Sequence, residues 1–263
     1  MYSLLGKIND SILASLCETN ITDWYLEEMP ASLFWRLFEH RTFWHHQDFE
    51  LEIETKAALQ IADKIINVQP GVQKIYVPPI TVACYHTTKI STWRKDMDLD
   101  VWLRNGVKSL LRTIDIEAVK VLLAADESLV CEKNHQDNIL VMSPATCERQ
   151  FGITVDEFNN NRGYVVPKRG QVPMTIKENV DEPKSKWVVE LGIDGRCVFV
   201  TDIMPNDKVI TCGGEQRLGI LCSRKEVFAL PVPEPRKLRI GAVLSDEFGV
   251  CVYDTSGYSV LTV

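Results

Sequence analysis

The last hundred residues of the chain, 163–263, are a succession of short apolar runs separated by turn residues. Runs such as WVVELGI, RCVFVTDI and KVITC are rich in β-branched side chains and are typical of strands. Asp194-Gly195 lies between two of these runs, and this dipeptide favours the type I′ turn of a β-hairpin. Further breaks are expected at 205–207, at Gly213-Gly214 and at the proline-rich stretch 231–235. This part of the chain therefore predicts a region of short strands.

A long amphipathic segment precedes these strands. Residues 98–126 carry apolar side chains at helical spacing, in a stripe broad enough to face a core. Gly106 and Thr113 are positions at which this helix could divide in two. Residues 138–142 (NILVM) are typical of a buried strand, and Ser143-Pro144 indicates the start of a helix. Helices first, a mixed middle and strands last predict the α+β class.

Four other segments lead to specific expectations. The apolar spacing of residues 31–40 and of residues 54–68 predicts a helix in each. Residues 154–157 have the spacing of a capping box, which predicts the start of another short helix. Residues 72–90 are extended in pattern and are interrupted by Pro78-Pro79. Because proline cannot donate to a ladder, this strand is expected at a sheet edge or on a projecting arm.

Charge and cysteine content exclude several classes of function. The chain has 263 residues, with 29 Lys and Arg against 36 Asp and Glu, a formal net charge of −7. A field of this sign does not attract nucleic acid. No uncharged apolar stretch reaches the roughly 18 residues of a membrane span, and we expect neither a membrane partner nor a secretory signal. The eight cysteines are scattered and form no CxxC pair, so they are expected as buried, reduced thiols.

No motif in the sequence predicts an active site. Glu39-His40 with residues 45–48 (HHQD) is the only cluster of metal-ligand types, and its spacing matches neither HExxH nor a cysteine-based zinc site. Gly213-Gly214-Glu215 lacks the Lys-Ser/Thr of a phosphate loop. We therefore expect no catalytic residue, no metal and no cofactor, and a protein that is not an enzyme. One alternative stays open, a cytosolic hydrolase-like enzyme whose Cys and His residues meet only in the fold.

From Asn138 onward the order of elements resembles that of a tailed-phage major capsid protein with the HK97-like fold. A buried strand ending in proline (NILVMSP) is followed by a short helix, and later by the segment VFVTDIMPNDKVITCGGEQRLGILCSR. Residues 238–263, two strands with a turn at Gly249 and a terminal apolar strand, are similar to the end of such proteins. The resemblance covers about 170 residues of pattern.

The resemblance implies an architecture of four parts. Residues 1–49 would be an N-terminal arm and 50–95 would contain the extended loop. Residues 96–138 with 236–263 would form the peripheral domain, and 139–235 the axial domain. In such a fold a long spine helix usually lies just before the strand that corresponds to NILVM, and here the 98–126 helix must serve.

The resemblance also implies a function. The chain would be a major capsid protein that self-assembles, through pentamers and hexamers, into an icosahedral shell around viral double-stranded DNA. It would be assembled in the host cytoplasm and would reside in the virion. Scaffolding, cement and portal proteins would be further partners, and packaged DNA would be contacted non-specifically. A cellular compartment shell of the encapsulin type shares the fold and stays open as an alternative.

Candidate interface residues come from aromatic, arginine and proline positions. Aromatic side chains are dense before residue 50, where either the subunit's own core or a neighbouring subunit could bury them. The arm predicted for 1–49 and the prolines of 72–90 favour contacts with a neighbour. The candidates are Trp35, Arg36, Phe38, Phe43, Trp44, Tyr76, Pro78 and Pro79.

Overall fold

The computed structural model describes residues 21–55, 58–61, 64–67, 71–89, 99–124, 138–156, 164–167, 176–178, 187–213, 217–234, 239–252 and 258–263. Its helices are α1 (Ile21–Glu28), a 3₁₀ turn (Met29–Ala31), α2 (Leu33–Leu37), α3 (Leu99–Ala124) and α4 (Pro144–Phe151). The strands of the first half are β1 (Phe38–Phe43), β2 (Glu50–Thr55), β3 (Ala58–Ile61), β4 (Lys64–Asn67), β5 (Gly71–Tyr76), β6 (Ile80–Lys89) and β7 (Ile139–Met142). Those that follow are β8 (Ile153–Asp156), β9 (Tyr164–Pro167), β10 (Ile176–Glu178), β11 (Val188–Ile193), β12 (Arg196–Thr201), β13 (Lys208–Cys212), β14 (Gly219–Arg224), β15 (Phe228–Glu234), β16 (Arg239–Val252) and β17 (Tyr258–Thr262).

The described strands form two main sheets. The seven-stranded sheet is organised around β16, whose first half pairs with β15 on one side and β6 on the other. The second half of β16 pairs with β14 and β3, β1 adds to β14 in parallel, and β4 pairs with β3 at the end of the sheet. The six-stranded sheet has the order β10-β11-β12-β7-β13-β17, with β7 parallel to β12 and antiparallel to β13. Two hairpin-like pairs, β2-β5 and β8-β9, complete the pairing.

Helix α3 packs across one face of the seven-stranded sheet. A Cβ atom at Gly106 would lie 2.8 Å from the Leu244 side chain, so glycine allows the helix to approach the sheet closely here. The buried side of α3 includes Val107, Leu110 and Ile114, all fully inaccessible to solvent. The helix runs unbroken through Gly106 and Thr113, so this segment is one helix and not two. None of the described helices is both long and apolar enough to cross a bilayer.

Short-range signals in the sequence correctly predict several elements. Ser143 caps α4 by accepting a hydrogen bond from the Thr146 backbone N–H at 3.2 Å, and Pro144 is the first helical residue. Asp194 and Gly195 have φ angles of 50° and 78°, so both adopt the left-handed region that a type I′ turn requires. The predicted α+β class, the 98–126 helix and the NILVM strand are confirmed.

Three helix predictions are wrong. Residues 54–68 lie in β2, β3 and β4, because β3 pairs with β16 and Ile61 is buried against it. The predicted 31–40 helix ends at Leu37, since Phe38 begins β1 and pairs with β14 over six residues. Residues 154–156 belong to β8 rather than to a helix. In the first two cases pairing with a distant strand outweighs local periodicity, and in the third β8 pairs with the nearby strand β9 despite the capping-box spacing.

The predicted break at 231–235 also requires correction. Strand β15 runs through Pro231 and Pro233, and within the described residues its only partner is β16. It is therefore an edge strand there, a position in which proline is tolerated. Residues 72–90 are extended as predicted, with β5 and β6 separated by Val77, Pro78 and Pro79. Strand β6 pairs with β16 along its whole length and is an edge strand of the same sheet.

Strand pairing crosses the predicted domain boundary at residues 235 and 236. Strands β14 and β15 were expected in the axial domain, yet both pair with β16 in the seven-stranded sheet. Strand β17 was expected in the peripheral domain, yet it pairs with β13 in the six-stranded sheet. Of the strands in the last fifty residues, β14, β15 and β16 therefore belong to the seven-stranded sheet, and β17 belongs to the six-stranded sheet.

Candidate functional site

The cysteine side chains that the structure describes lie mostly in the interior. Burial raises the pKa of the Cys147 thiol to about 11, and the pKa values of Cys197, Cys222 and Cys251 to about 12. Such thiols are protonated at neutral pH and are weak nucleophiles. Within the described ranges, no three His, Cys, Asp or Glu side chains are placed to hold a metal ion. These positions offer no support for the hydrolase alternative.

A buried polar network lies where the N-terminal segment meets the sheet and α3. Asp115, fully inaccessible on α3, accepts hydrogen bonds from the backbone N–H groups of Leu33 and Phe34 at 2.9 and 2.8 Å. It also accepts one from the Trp187 indole N–H at 2.6 Å. Asp115 thus joins α2, α3 and the start of β11. The sequence held one signal for it, a carboxylate on the apolar stripe of a long helix.

A second buried carboxylate, Asp246 on β16, continues this network. It accepts hydrogen bonds from the Tyr25 hydroxyl at 3.0 Å and from the Arg224 backbone N–H at 3.3 Å. Beside it, Ser223 Oγ lies 2.7 Å from His40 Nε2. Burial lowers the pKa of His40 to about 4, so the imidazole is neutral at physiological pH. All these side chains are largely inaccessible, which suits a structural role.

Arg224 holds an exposed loop of residues 44–48 against the body of the protein. Its Nη1 donates to the carbonyl oxygens of Trp44 and Gln47 at 2.9 and 2.6 Å. Its Nε and Nη2 donate to Glu247 Oε2 at 2.9 and 2.7 Å. The guanidinium also lies 4.5 Å from the centre of the Phe49 ring. This buried arginine therefore fixes the backbone of a loop whose side chains face solvent.

An exposed apolar patch lies on the face of the seven-stranded sheet opposite α3. Leu230, Val243 and Tyr85 lie opposite one another on β15, β16 and β6, so their side chains point to the same side. Phe228 belongs to the next row on this side, and Phe228, Leu230 and Tyr85 each expose between 44% and 55% of their surface. We call these four residues the outer apolar face. On the other side of the sheet, Leu244 is fully buried beneath α3.

Sequence reasoning missed the outer apolar face, although a signal was present. The run FALPV in β15 has apolar side chains at successive positions, hence on both faces of the strand. A strand with one solvated face normally alternates apolar and polar residues. The Tyr85 ring reaches across to β16, where a Cβ at Gly241 would lie 2.8 Å from its Cε2 atom. This pairing depends on strand register, which the sequence alone does not supply.

Solved structures resemble this chain although sequence comparisons find no relative. No protein-family model matches the sequence, and no curated protein matches it. The capsid of a native GTA particle superimposes with a TM-score of 0.53 at 12% identity, covering 89% of this chain and 90% of that one. The chain has the HK97-like capsid fold. A virus-like particle from Pyrococcus furiosus has a TM-score of 0.48 at 12% identity, covering 92% of this chain and 98% of that one. A structure of Microbacterium phage Oxtober96 has a TM-score of 0.49 at 10% identity, covering 88% of this chain and 91% of that one.

In this HK97-like fold the predicted interface residues fall into three groups. Phe38, at 2% exposure, packs in the subunit's own core and is a wrong candidate for an interface. Trp35, Arg36 and Phe43 are half-buried; Arg217 donates to the carbonyl oxygens of Trp35 and Arg36. The residues that face solvent are Trp44, Tyr76, Pro78 and Pro79.

The aromatic residues before position 50 therefore divide between core and surface. Tyr25, Phe34 and Phe38 belong to the core that includes α3, and Phe49 belongs to a smaller cluster beside β14 and β16. Of the six aromatic side chains in residues 21–43, three (Tyr25, Phe34 and Phe38) are buried in the chain's own core and three (Trp24, Trp35 and Phe43) are half-buried. Of the two alternatives, burial in the chain's own core therefore holds for the first three. The remainder of the predicted arm, residues 1–20, lies outside the described residues.

Proposed function

We propose that this chain is a major capsid protein, the repeated subunit of a closed icosahedral shell around viral double-stranded DNA. The observation that carries the proposal is the HK97-like fold together with an exposed apolar face on its larger sheet. Soluble monomers rarely leave large contiguous apolar patches in solvent. In a symmetric assembly each such patch is covered once per subunit, and every favourable contact is repeated throughout the shell.

The energetic scale of the outer apolar face supports association. Full burial of a large apolar side chain contributes roughly 1.5–3 kcal/mol relative to its exposure. Phe228, Leu230 and Tyr85 are each about half exposed, so a neighbour that covers them gains on the order of 1 kcal/mol from each. Contacts of this size are weak singly, which lets misplaced subunits dissociate, and are strong when summed over a shell.

We assign the β2-β5 pair to the extended loop of the fold. The exposed side chains of Tyr76, Pro78 and Pro79 lie at the end of β5 and just after it, and Trp44 directly follows β1 in the connection to β2. Their exposure supports a contact with an adjacent subunit, as does the rigid backbone that Arg224 gives to residues 44–48. These four residues remain our candidates for the interface.

We also revise the proposed domains to follow the strand pairing. The peripheral domain would consist of α3 with the seven-stranded sheet, and the axial domain of α4 with the six-stranded sheet. Strands β14 and β15 then move to the first, and β17 to the second. An N-terminal arm is proposed only for residues before 21.

The remaining parts of the proposal concern partners and place. Pentamers and hexamers of this chain would form the shell in the host cytoplasm and reside in the virion, with scaffolding, cement and portal proteins as further partners. DNA would be contacted without sequence preference. The net charge of −7 suits a lining that does not hold packaged DNA tightly. We propose no catalytic activity.

The test compares two substitutions of the same kind at equally exposed leucines. Leu230→Glu places a charge on the outer apolar face, whereas Leu26→Glu does so on α1, and the wild-type residues expose 49% and 48%. The purified proteins are examined by light scattering and electron microscopy, with circular dichroism to check folding. We expect particles from wild type and Leu26→Glu, and folded unassembled subunits from Leu230→Glu.

Other outcomes would count against the proposal. Equal assembly of all three proteins, or equal loss in both variants, would show that the outer apolar face is not the contact. A wild-type chain that stays monomeric at both low and high salt concentration would contradict the formation of a shell. The ratio of absorbance at 260 and 280 nm of particles from infected or expressing cells distinguishes a nucleic-acid shell from a protein compartment.

A further inference from the structure

Two buried carboxylates on different elements hold the same N-terminal segment, residues 21–37, which we call the docked segment. Asp115 on α3 binds the backbone N–H groups of Leu33 and Phe34. Asp246 on β16 binds the hydroxyl of Tyr25. The side chains of Asp115 and Asp246 are 0% and 3% exposed. Both ends of the docked segment thus depend on acceptors that water does not reach.

The surroundings of Asp115 supply hydrogen bonds but no ion pair. Its charged neighbour is Arg112, one turn earlier on α3, whose Nη2 instead contacts Asp202 Oδ2 at 2.8 Å. Tyr25 faces Asp115 from the docked segment, and Trp187 donates to it from the start of β11. Among the described residues, no cation lies within 4.0 Å of this carboxylate. An ionised group in such a setting is costly because it has left water without a counter-charge.

Asp246 has a similar environment. Arg224 gives it a backbone N–H, while the guanidinium of the same residue turns to the neighbouring Glu247. Tyr25 donates its hydroxyl, and beyond it lie Ser223 and the neutral ring of His40. Burial and the nearby Asp246 raise the pKa of Tyr25 well above its ordinary value of 10, so its hydroxyl keeps its proton at physiological pH. Asp246 is therefore also buried without a paired cation in the described part of the chain.

We propose that docking of residues 21–37 onto the subunit core is coupled to proton uptake by Asp115 and Asp246. The docked segment is held more tightly in mild acid and released more readily as the pH rises. The proposal concerns the folded subunit alone and does not require a shell, so it can fail independently of the proposed function.

The direction of this coupling follows from linkage. Burial raises the pKa of Asp246 from 3.8 to about 7, and that of Asp115 from 3.8 to about 6. If release exposes these carboxyl groups, their pKa values return toward 3.8, so the docked state binds more protons between those limits. From pH 8 to pH 5, Asp246 alone then strengthens docking by on the order of 100-fold, and Asp115 by about 10-fold.

His40 acts in the opposite direction and lies outside the docked segment. Its pKa is lowered to about 4, so between pH 6.5 and 4 an exposed His40 binds a proton that the buried ring does not. It lies on β1, and acid therefore weakens the attachment of that strand. Comparison of variants at Asp246 cancels this contribution, because His40 is present in all of them.

The experiment measures hydrogen exchange at the Leu33 and Phe34 amides of the full chain between pH 5 and 8, corrected for the intrinsic rate. Wild type is expected to gain on the order of 1,000-fold in protection from pH 8 to pH 5, the product of the two contributions. Asp246→Asn keeps an oxygen acceptor for Tyr25, and its gain should fall to about 10-fold. Asp207→Asn, at an exposed turn, serves as the matched control and should behave as wild type.

Two results would overturn the proposal. One is the same pH dependence of protection in wild type and in Asp246→Asn. The other comes from wild type alone and applies even if the variant fails to fold. In carboxyl carbon NMR, titration of Asp246 near pH 4, rather than near 7, would remove the basis of the coupling.

Discussion

Replacement of Arg224 by alanine should destabilise the subunit and free the loop of residues 44–48. The side chain is 8% exposed and makes four hydrogen bonds. Two of them go to the carbonyl oxygens of Trp44 and Gln47, and two to one oxygen of Glu247. Truncation removes all four at once, together with the contact of the guanidinium with the Phe49 ring.

The magnitude can be assembled from these contacts. A hydrogen bond from a charged donor contributes about 1.5–3 kcal/mol when buried. The Glu247 carboxylate is 40% exposed, so we discount that pair to about 0–1 kcal/mol. The two carbonyl contacts share one nitrogen and lie partly in solvent, and we assign them about 2 kcal/mol together. The cation–π contact adds about 0.5–1 kcal/mol, for a total of about 3 kcal/mol.

The assay is urea unfolding, followed by tryptophan fluorescence and circular dichroism. Arg224→Ala should lower the free energy of unfolding by about 3 kcal/mol, and Arg224→Lys by less, because lysine keeps the charge but not the planar fork. Arg196→Ala, at an exposed position of β12, is the matched control and should change it by less than about 0.5 kcal/mol. If Arg224→Ala is no more harmful than Arg196→Ala, the loop does not depend on this arginine.

Two further substitutions test the local structure. Gly219→Ala would place a Cβ atom against the Cys251 carbonyl oxygen, so β14 must move away from β16. We expect the free energy of unfolding in urea to fall by at least about 2 kcal/mol. A fall of less than about 0.5 kcal/mol would refute the close approach of the two strands. Ser143→Ala removes the cap of α4 and should cost about 1 kcal/mol by the same measurement, whereas Ser143→Asp, which can still accept the Thr146 N–H, should cost less.

The sequence predicted those elements whose determinants lie within one segment. The stripe of 98–126 required only that apolar residues recur with the helical period, and Asp194-Gly195 required only two residues that tolerate positive φ. Ser143-Pro144 is likewise a local signal. By contrast, the helix expected at 54–68 had adequate periodicity, and it is absent because Ile61 gains more from pairing with β16 and from burial beside Phe49.

The site was harder to predict because it depends on register and on contacts between distant residues. Leu230, Val243 and Tyr85 become neighbours only when three strands separated by up to 158 positions are aligned. Asp115 and Leu33 are 82 residues apart, and no spacing rule connects them. Phe38 is an interface candidate in the sequence because it is aromatic and lies near the N-terminus. These two properties do not distinguish a core residue from an interface residue.

If the proposed function holds, one chain must serve in both pentamers and hexamers, and the position of the buried core bears on how it does so. One hydrophobic cluster contains Leu244 and Phe248 of the seven-stranded sheet and Val141 and Phe199 of the six-stranded sheet. Asp115 adds hydrogen bonds that join α3 to the docked segment and to Trp187, the residue just before β11 of the second sheet. A shared close-packed core resists rotation of one sheet against the other. On the proposed function, adjustment between the two environments therefore falls to the exposed side of the β2-β5 pair, rather than to a hinge between the sheets.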